Sequence, residues 1–305
     1  MNQKITVFIL SLKKSARLPK LMKKLKTINI KYNILFGING NLKENHKLLL
    51  KFYNKRETEK YINRKLAFPE IGASLAHINA YKLIIKNKIK SAIIIEDDVY
   101  PSKTLAAWVK NNISIKDNHI NSFYAYPSLG FIEKKPLMRV MNDKIGIHKA
   151  KTHLHNSSCY QINLSTCKKI IQLTKGKVCG VGDWPFNLEK SGIKLNVTIP
   201  YLVSFNNYKS NTEEERSKLT KDSFKIKKKL PSFLNTALRI LYYLSFYPYL
   251  MQKYKNIDFY KEQFFNKYLE LVKNFFTNKY YNTNKIFLKK SFYTSDLYTK
   301  IKKLN

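Results

Sequence analysis

Three consecutive acids, Glu96, Asp97 and Asp98, follow an apolar run in "SAIIIEDDVYP". Crowded carboxylates repel one another, and burying them without a counter-charge is costly. A divalent cation relieves that repulsion. Hard oxygen ligands suit Mg²⁺ or Mn²⁺, which commonly bridge protein carboxylates to substrate phosphates. A solvated acidic loop, or a cluster paired with lysines, is the bland alternative for a bare triplet.

A second set of polar residues lies just upstream. In "FPEIGASLAHINAYKLIIK", Glu70, Ser74, His77 and Tyr81 are spaced by four, three and four residues. At 3.6 residues per turn they form one narrow polar stripe on a helix. Ile71, Leu75, Ile78 and Ile85 make an apolar stripe beside it, and Ala73, Ala76, Ala80 and Ile84 a third, small-residue face. Few positions remain for solvent, so the helix is expected to be buried. Its polar stripe reads either as the wall of a site or as a hydrogen-bonded row in the core.

The elements needed to position these groups alternate along the chain. Strands are expected over 5–12, within "KYNILFGINGN" (31–41) where a Gly-containing turn breaks it, and over 91–96, 122–126 and 194–202. Helices are expected over 18–27, with Pro19 suited to a first turn, and over 69–86, 103–110 and 165–173. The polar, Lys-rich stretch up to about 65 has no element assigned to it. Strands alternating with helices predict an α/β domain with a mostly parallel sheet. In such sheets ligands bind beyond the carboxyl ends of the strands. The run Ala92–Ile95 would therefore bury in the sheet and deliver the three acids to that edge.

Composition narrows the class. The 305 residues carry 57 Lys plus Arg against 20 acids, a formal charge of +37. Only Arg17, Arg56, Arg64, Arg139, Arg216 and Arg239 are arginines. A nucleic-acid reader would draw more heavily on the bidentate guanidinium, so no nucleic-acid partner is expected. The three cysteines form no CxxC pair, which argues against a disulfide framework or a zinc site and suits a reducing cytoplasm. The N-terminal run "ITVFILSL" is too short for a membrane span and lacks a cleavage site.

Together, "EIGASLAHINAY" and "AIIIEDDV" resemble glycosyltransferase family 25, which includes lipooligosaccharide galactosyltransferases. Glu70, Ile71, Gly72 and His77 match the family's E-I-G-C-x-x-S-H pattern, with Ala73 and Ala76 standing for Cys and Ser. Glu96, Asp97 and Asp98 match its E-D-D in full. "VFILSLKKSARLPKLMKKL" resembles the opening strand and following Arg17, with Ser11 for a common Asn. "GINGN" resembles a short A-x-D-G turn, with Asn39 in place of the acid. "SSCYQINLSTCKKII" and "VGDWPFNLEKSGIKLNVTIPYLV" resemble later blocks.

The resemblance implies a GT-A-like nucleotide-sugar-binding domain over 1–210. The reaction it implies is transfer of a sugar, galactose by family default, from a UDP-sugar to a lipooligosaccharide or other cell-envelope glycan. It makes Arg17, Glu70, His77, Glu96, Asp97 and Asp98 donor-side residues, with Glu96 and Asp98 holding Mn²⁺ or Mg²⁺. A metal would neutralise charge on the leaving diphosphate. An inverting transfer also needs a base on the acceptor hydroxyl. Asp183 in "GVGDW" is the candidate, with a turn or N-cap role as its alternative, and Trp184 could stack on a sugar face. No histidine follows His155, so water, His153 or His155 would have to complete a metal shell.

Residues 211–305 form a basic, aromatic-rich extension, expected to be helical. Its segment "SFLNTALRILYYLSFYPYLMQKYK" reads as a helical cap or as an interfacial helix on the cytoplasmic face of the inner membrane. The competing class is a basic protein that binds nucleic acid or membrane without catalysis.

Overall fold

The structure is a computed structural model. It describes residues 5–62, 64–124, 132–133, 135–150, 156–180, 184–188 and 191–205. Asp183, His153, His155 and the 211–305 extension lie outside the described residues.

In chain order the elements are β1 (Thr6–Ser11), α1 (Leu18–Thr27), β2 (Asn33–Phe36), α2 (His46–Phe52), α3 (Lys55–Ile62), α4 (Phe68–Lys86), β3 (Ser91–Glu96) and β4 (Val99–Pro101). They continue with α5 (Lys103–Lys110), β5 (His119–Ser122), β6 (Met138–Val140), β7 (Ile145–Lys149), β8 (Cys159–Asn163), α6 (Leu164–Thr174), β9 (Lys194–Ile199) and β10 (Val203–Phe205).

Among the described residues, eight strands form one sheet in the order β2-β1-β3-β8-β5-β9-β7-β6, and β4 pairs with β10 in a separate ribbon. Strands β2, β1, β3, β5, β9 and β6 run one way; β8 and β7 run against them. The sheet is thus parallel in its dominant direction but mixed in its pairing, because β8 enters between β3 and β5 antiparallel to both.

Both faces of the sheet are covered, which explains the unbroken apolar runs. In β3, Ala92 and Ile94 face the core shared with α4 and α6, whereas Ile93 and Ile95 face the core shared with α1 and α5. In β1, Phe8 and Leu10 turn to the first core and Val7 and Ile9 to the second.

Helix α4 is buried as expected: Glu70, Ile71, Ser74, Leu75, His77, Ile78, Ala80, Tyr81 and Ile84 are all shielded from solvent. Pro19 sits in the first turn of α1, Ser102 caps α5 by accepting from the Leu105 amide, and Asn163 caps α6 by accepting from the Thr166 amide.

Four local expectations are corrected. The Lys-rich stretch before 65 contains α2 and α3, in which Leu49 and Thr58 are the buried residues. The strand expected over 122–126 starts at His119 and ends at Ser122; residues 125–126 lie outside the described residues. The strand expected over 194–202 ends at Ile199. The short strands β4, β6, β7, β8 and β10 were not anticipated.

Candidate active site

Strands β1, β2 and β3 are parallel neighbours, so their carboxyl ends open onto one edge. A cleft of about 150 Å³ lies there. Its walls come from Ser11 at the end of β1 and Arg17 beyond it, the 37–41 turn after β2, the Ala73–Ala76–His77 face of α4, Glu96 at the end of β3, and Asp97 and Asp98 just after it. This is the edge at which ligands bind in open α/β sheets.

The turn 37–41 packs against the start of α4 through two glycines. A Cβ on Gly72 would sit 2.5 Å from the Ile38 carbonyl oxygen, and one on Gly40 would sit 2.2 Å from the Phe68 oxygen. Gly72 therefore belongs to the motif because backbone approaches backbone there. His46 stacks on Phe68 and its Nε2 lies 2.9 Å from the Gly40 oxygen, which fixes the turn from outside.

The three acids have three different surroundings. Asp97 is buried and saturated: Arg17 Nη2 lies 2.7 Å from its Oδ1, and the Ser11 hydroxyl donates to its Oδ2 at 2.6 Å. Glu96 is about a third exposed, and His77 Nε2 lies 3.1 Å from its Oε1. Asp98 is 29% exposed, with Arg17 no nearer than 3.9 Å from its Oδ2. Its Oδ1 is buried and has no hydrogen-bond partner among the described residues. Burial first, then the Glu96 carboxylate, push the Asp98 pKa up to about 7; Arg17 pulls the other way and Asp97 adds to the rise.

An orphaned carboxylate oxygen that is costly to ionise is chemically suited to a hard divalent cation. Glu96 and Asp98 are the side chains that could hold one here. Among the described residues no cluster of three His, Cys, Asp or Glu is arranged as a cage. Two carboxylates, with substrate phosphate and water filling the remaining positions, fit the coordination habit of Mg²⁺.

The structure redistributes the other expected residues. Glu70 does not line the cleft. Its carboxylate is held by Arg64 through two contacts of 2.7 and 2.8 Å, and it accepts from the Ala67 amide at 2.9 Å, locking the first turn of α4. Arg17 reaches the cleft, but its guanidinium is engaged by Asp97. Trp184 is 1% exposed and packs on Tyr160 in the core, so it is not presented to a sugar.

Two partners escaped the sequence reading. Ser11 orients Asp97. Tyr160 on β8 bonds to both His77 and Tyr81. The polar stripe of α4 is thus partly a core row and partly a site wall, with His77 spanning both. The apolar–polar alternation of "CYQIN" was the one available signal for β8.

A larger hollow of about 500 Å³ lies at the opposite edge, by Ser91, Asp117 and Lys168. Its carboxylate, Asp117, already accepts from Asn163 and Ser165.

The α/β architecture and the acidic cleft at the strand ends are compatible with a glycosyltransferase. The chain belongs to glycosyltransferase family 25 (LPS biosynthesis protein), whose sequence model matches residues 4–183, more than half of the chain. No curated protein matches it. Among the described residues no helix is long and apolar enough to cross a membrane.

Proposed function

We propose that this glycosyltransferase moves a hexose, galactose by family default, from a UDP-sugar to a lipooligosaccharide or other cell-envelope glycan. The observation that carries the reading is the orphaned Asp98 oxygen beside Glu96, in a cleft at the carboxyl ends of three parallel strands. The cleft is the donor site of a GT-A-like domain, where Glu96 and Asp98 would hold Mn²⁺ or Mg²⁺. When bound, the ion neutralises charge on the departing diphosphate. Arg17 holds Asp97 and keeps a positive charge beside the acids.

The transfer inverts the anomeric centre. The acceptor hydroxyl oxygen attacks the anomeric carbon, and the bond from that carbon to the β-phosphate oxygen breaks. Asp183 takes the hydroxyl proton, and UDP carries away the bonding electrons. The 211–305 extension holds the enzyme peripherally on the cytoplasmic face of the inner membrane, near its acceptor.

The test is a thermal-shift and transfer screen. UDP with Mn²⁺ should raise the melting temperature, since a ligand of the native state stabilises it by mass action. A panel of UDP-sugars with envelope glycan acceptors then identifies the donor. No shift with UDP or any UDP-sugar, alongside tight salt-sensitive DNA binding, would favour the non-catalytic basic protein.

A further inference from the structure

A chain of hydrogen bonds runs from the cleft into the core. His77 Nε2 lies 3.1 Å from Glu96 Oε1, His77 Nδ1 lies 2.8 Å from the Tyr160 hydroxyl, and that hydroxyl lies 2.5 Å from the Tyr81 hydroxyl. The four residues come from three elements: β3, α4 and β8. His77, Tyr81 and Tyr160 are each at most 1% exposed, whereas Glu96 lies at the cleft.

Counting protons sets the direction of the chain. Tyr81 and Tyr160 have one O–H each, and a neutral imidazole has one N–H. Three hydrogens serve three contacts if Tyr81 donates to Tyr160, Tyr160 to His77 Nδ1, and His77 Nε2–H to Glu96 Oε1. Reversing the order, or adding a second ring proton, leaves a phenolic O–H in the core with nowhere to donate. Among the described residues Tyr81 has no hydrogen-bond partner besides Tyr160. A buried donor left without an acceptor is penalised. Burial raises the pKa of both phenols, so both keep the protons this order requires.

We infer that Tyr160, backed by Tyr81, is a positioning residue: it holds His77 in the Nε2–H tautomer, and His77 in turn fixes Glu96 by Oε1 and leaves Oε2 for the cleft. This rests on the reading of Glu96 as a donor-side ligand. The role of Tyr160 is that of an outer partner that fixes the ring orientation behind a ligating group, as found around bound metals. Tyr160 also packs against Trp184, the neighbour of Asp183 in the chain, with ring centroids 5.3 Å apart.

The decisive variant is Tyr160→Phe, which keeps the ring against Trp184 and removes only the hydroxyl; Tyr81→Phe is the second. Nitrogen NMR of the ¹⁵N-histidine-labelled full chain, without ligand, should show His77 as the Nε2–H tautomer. Tyr160→Phe should bring in the Nδ1–H form, and Tyr81→Phe should do so to a smaller extent. Calorimetric titration with Mn²⁺ and UDP should then show affinity weakened by about 10-fold in Tyr160→Phe. A Glu96→Gln background should remove most of that difference. A wild-type Nδ1–H tautomer, or one unmoved by either substitution, overturns the inference. So does unchanged Mn²⁺–UDP affinity in Tyr160→Phe when the wild type binds normally. If the wild type itself binds neither Mn²⁺ nor UDP, the donor-site reading falls and takes the positioning role with it, whatever the tautomer.

Discussion

Asp98 and Asp97 are neighbours in the chain with opposite fates. Asp97 has its cation and its hydroxyl, whereas Asp98 keeps a buried oxygen without a hydrogen-bond partner among the described residues. The Asp98 pKa rises from an ordinary 3.8 to about 7. A raised folded-state pKa means that the folded protein binds this proton more tightly than the unfolded chain does. The associated stability is complete below about pH 4 and is lost as pH rises through 7. Asp98→Asn should therefore raise the melting temperature of the ligand-free protein at pH 8, by about 2–4 °C per kcal/mol recovered, and leave it little changed at pH 4. The same variant should weaken Mn²⁺–UDP binding, which in the wild type should fall off below pH 7 as protons compete. Melting curves across pH, with and without Mn²⁺, check both halves. Unchanged Mn²⁺–UDP binding in Asp98→Asn would reduce the triplet to surface decoration. Asp183→Asn should behave differently: UDP affinity stays near wild type while kcat falls by roughly 10²–10⁴, the scale of general-base catalysis. Wild-type transfer rates in that variant would assign the base to another residue.

At the scale of elements, the start of α4 carries the site's rigidity. Gly72 lets the Ile38 carbonyl come within 2.5 Å of where a Cβ would sit, and that carbonyl belongs to the turn that walls the cleft. Gly72→Ala must push backbone away from backbone. It should cost roughly 1–3 kcal/mol, as overpacked sites do, and weaken donor binding by displacing the turn. The denaturation midpoint and the UDP affinity of the variant measure the two effects. Arg64→Ala acts on the same turn of helix from outside. Glu70 is 1% exposed, so losing the guanidinium removes the cation facing a buried carboxylate, and about 3 kcal/mol of stability should go with it. Because Glu70 does not line the cleft, the folded fraction of Arg64→Ala should bind UDP with near-normal affinity; a selective loss of binding would return Glu70 to the donor site.

At the scale of the molecule, a +37 protein acting on an envelope glycan has a physical reason to sit on an anionic surface. The sequence places Tyr242, Tyr243, Phe246, Tyr247 and Tyr249 between lysine-rich stretches of the extension. Aromatic side chains partition to the headgroup region, and nearby cations add attraction of about 1 kcal/mol each. Removing residues after Asn211 should release the protein from anionic liposomes, and salt should weaken binding of the full chain. Equal liposome binding by the truncated and full chains would place the membrane contact elsewhere. A truncated protein that fails to fold would favour the helical-cap reading.

The features legible in the sequence are those set by local pattern. Apolar runs marked β1 and β3, Pro19 marked the first turn of α1, and side-chain stripes at 3.6-residue spacing marked α4. The placing of Glu96, Asp97 and Asp98 at a strand end follows from a run of isoleucines giving way to charge. Gly72 and His77 stood out by motif. What each residue touches was decided by the tertiary structure. Insertion of β8 antiparallel beside β3 pairs Ile94 with Tyr160, and this brings a phenol to His77 from 83 positions away. No local periodicity encodes strand order or register between such distant segments, because they follow from how whole faces bury against one another. The division of labour among the acids has the same origin. Asp97 rather than Asp98 received Arg17 because the turn after β3 aims one carboxylate at β1 and leaves an oxygen of the other buried at the cleft. Composition and spacing determined that acids would meet at this edge; burial and the geometry of neighbouring strands decided which of them is satisfied and which remains open to a ligand.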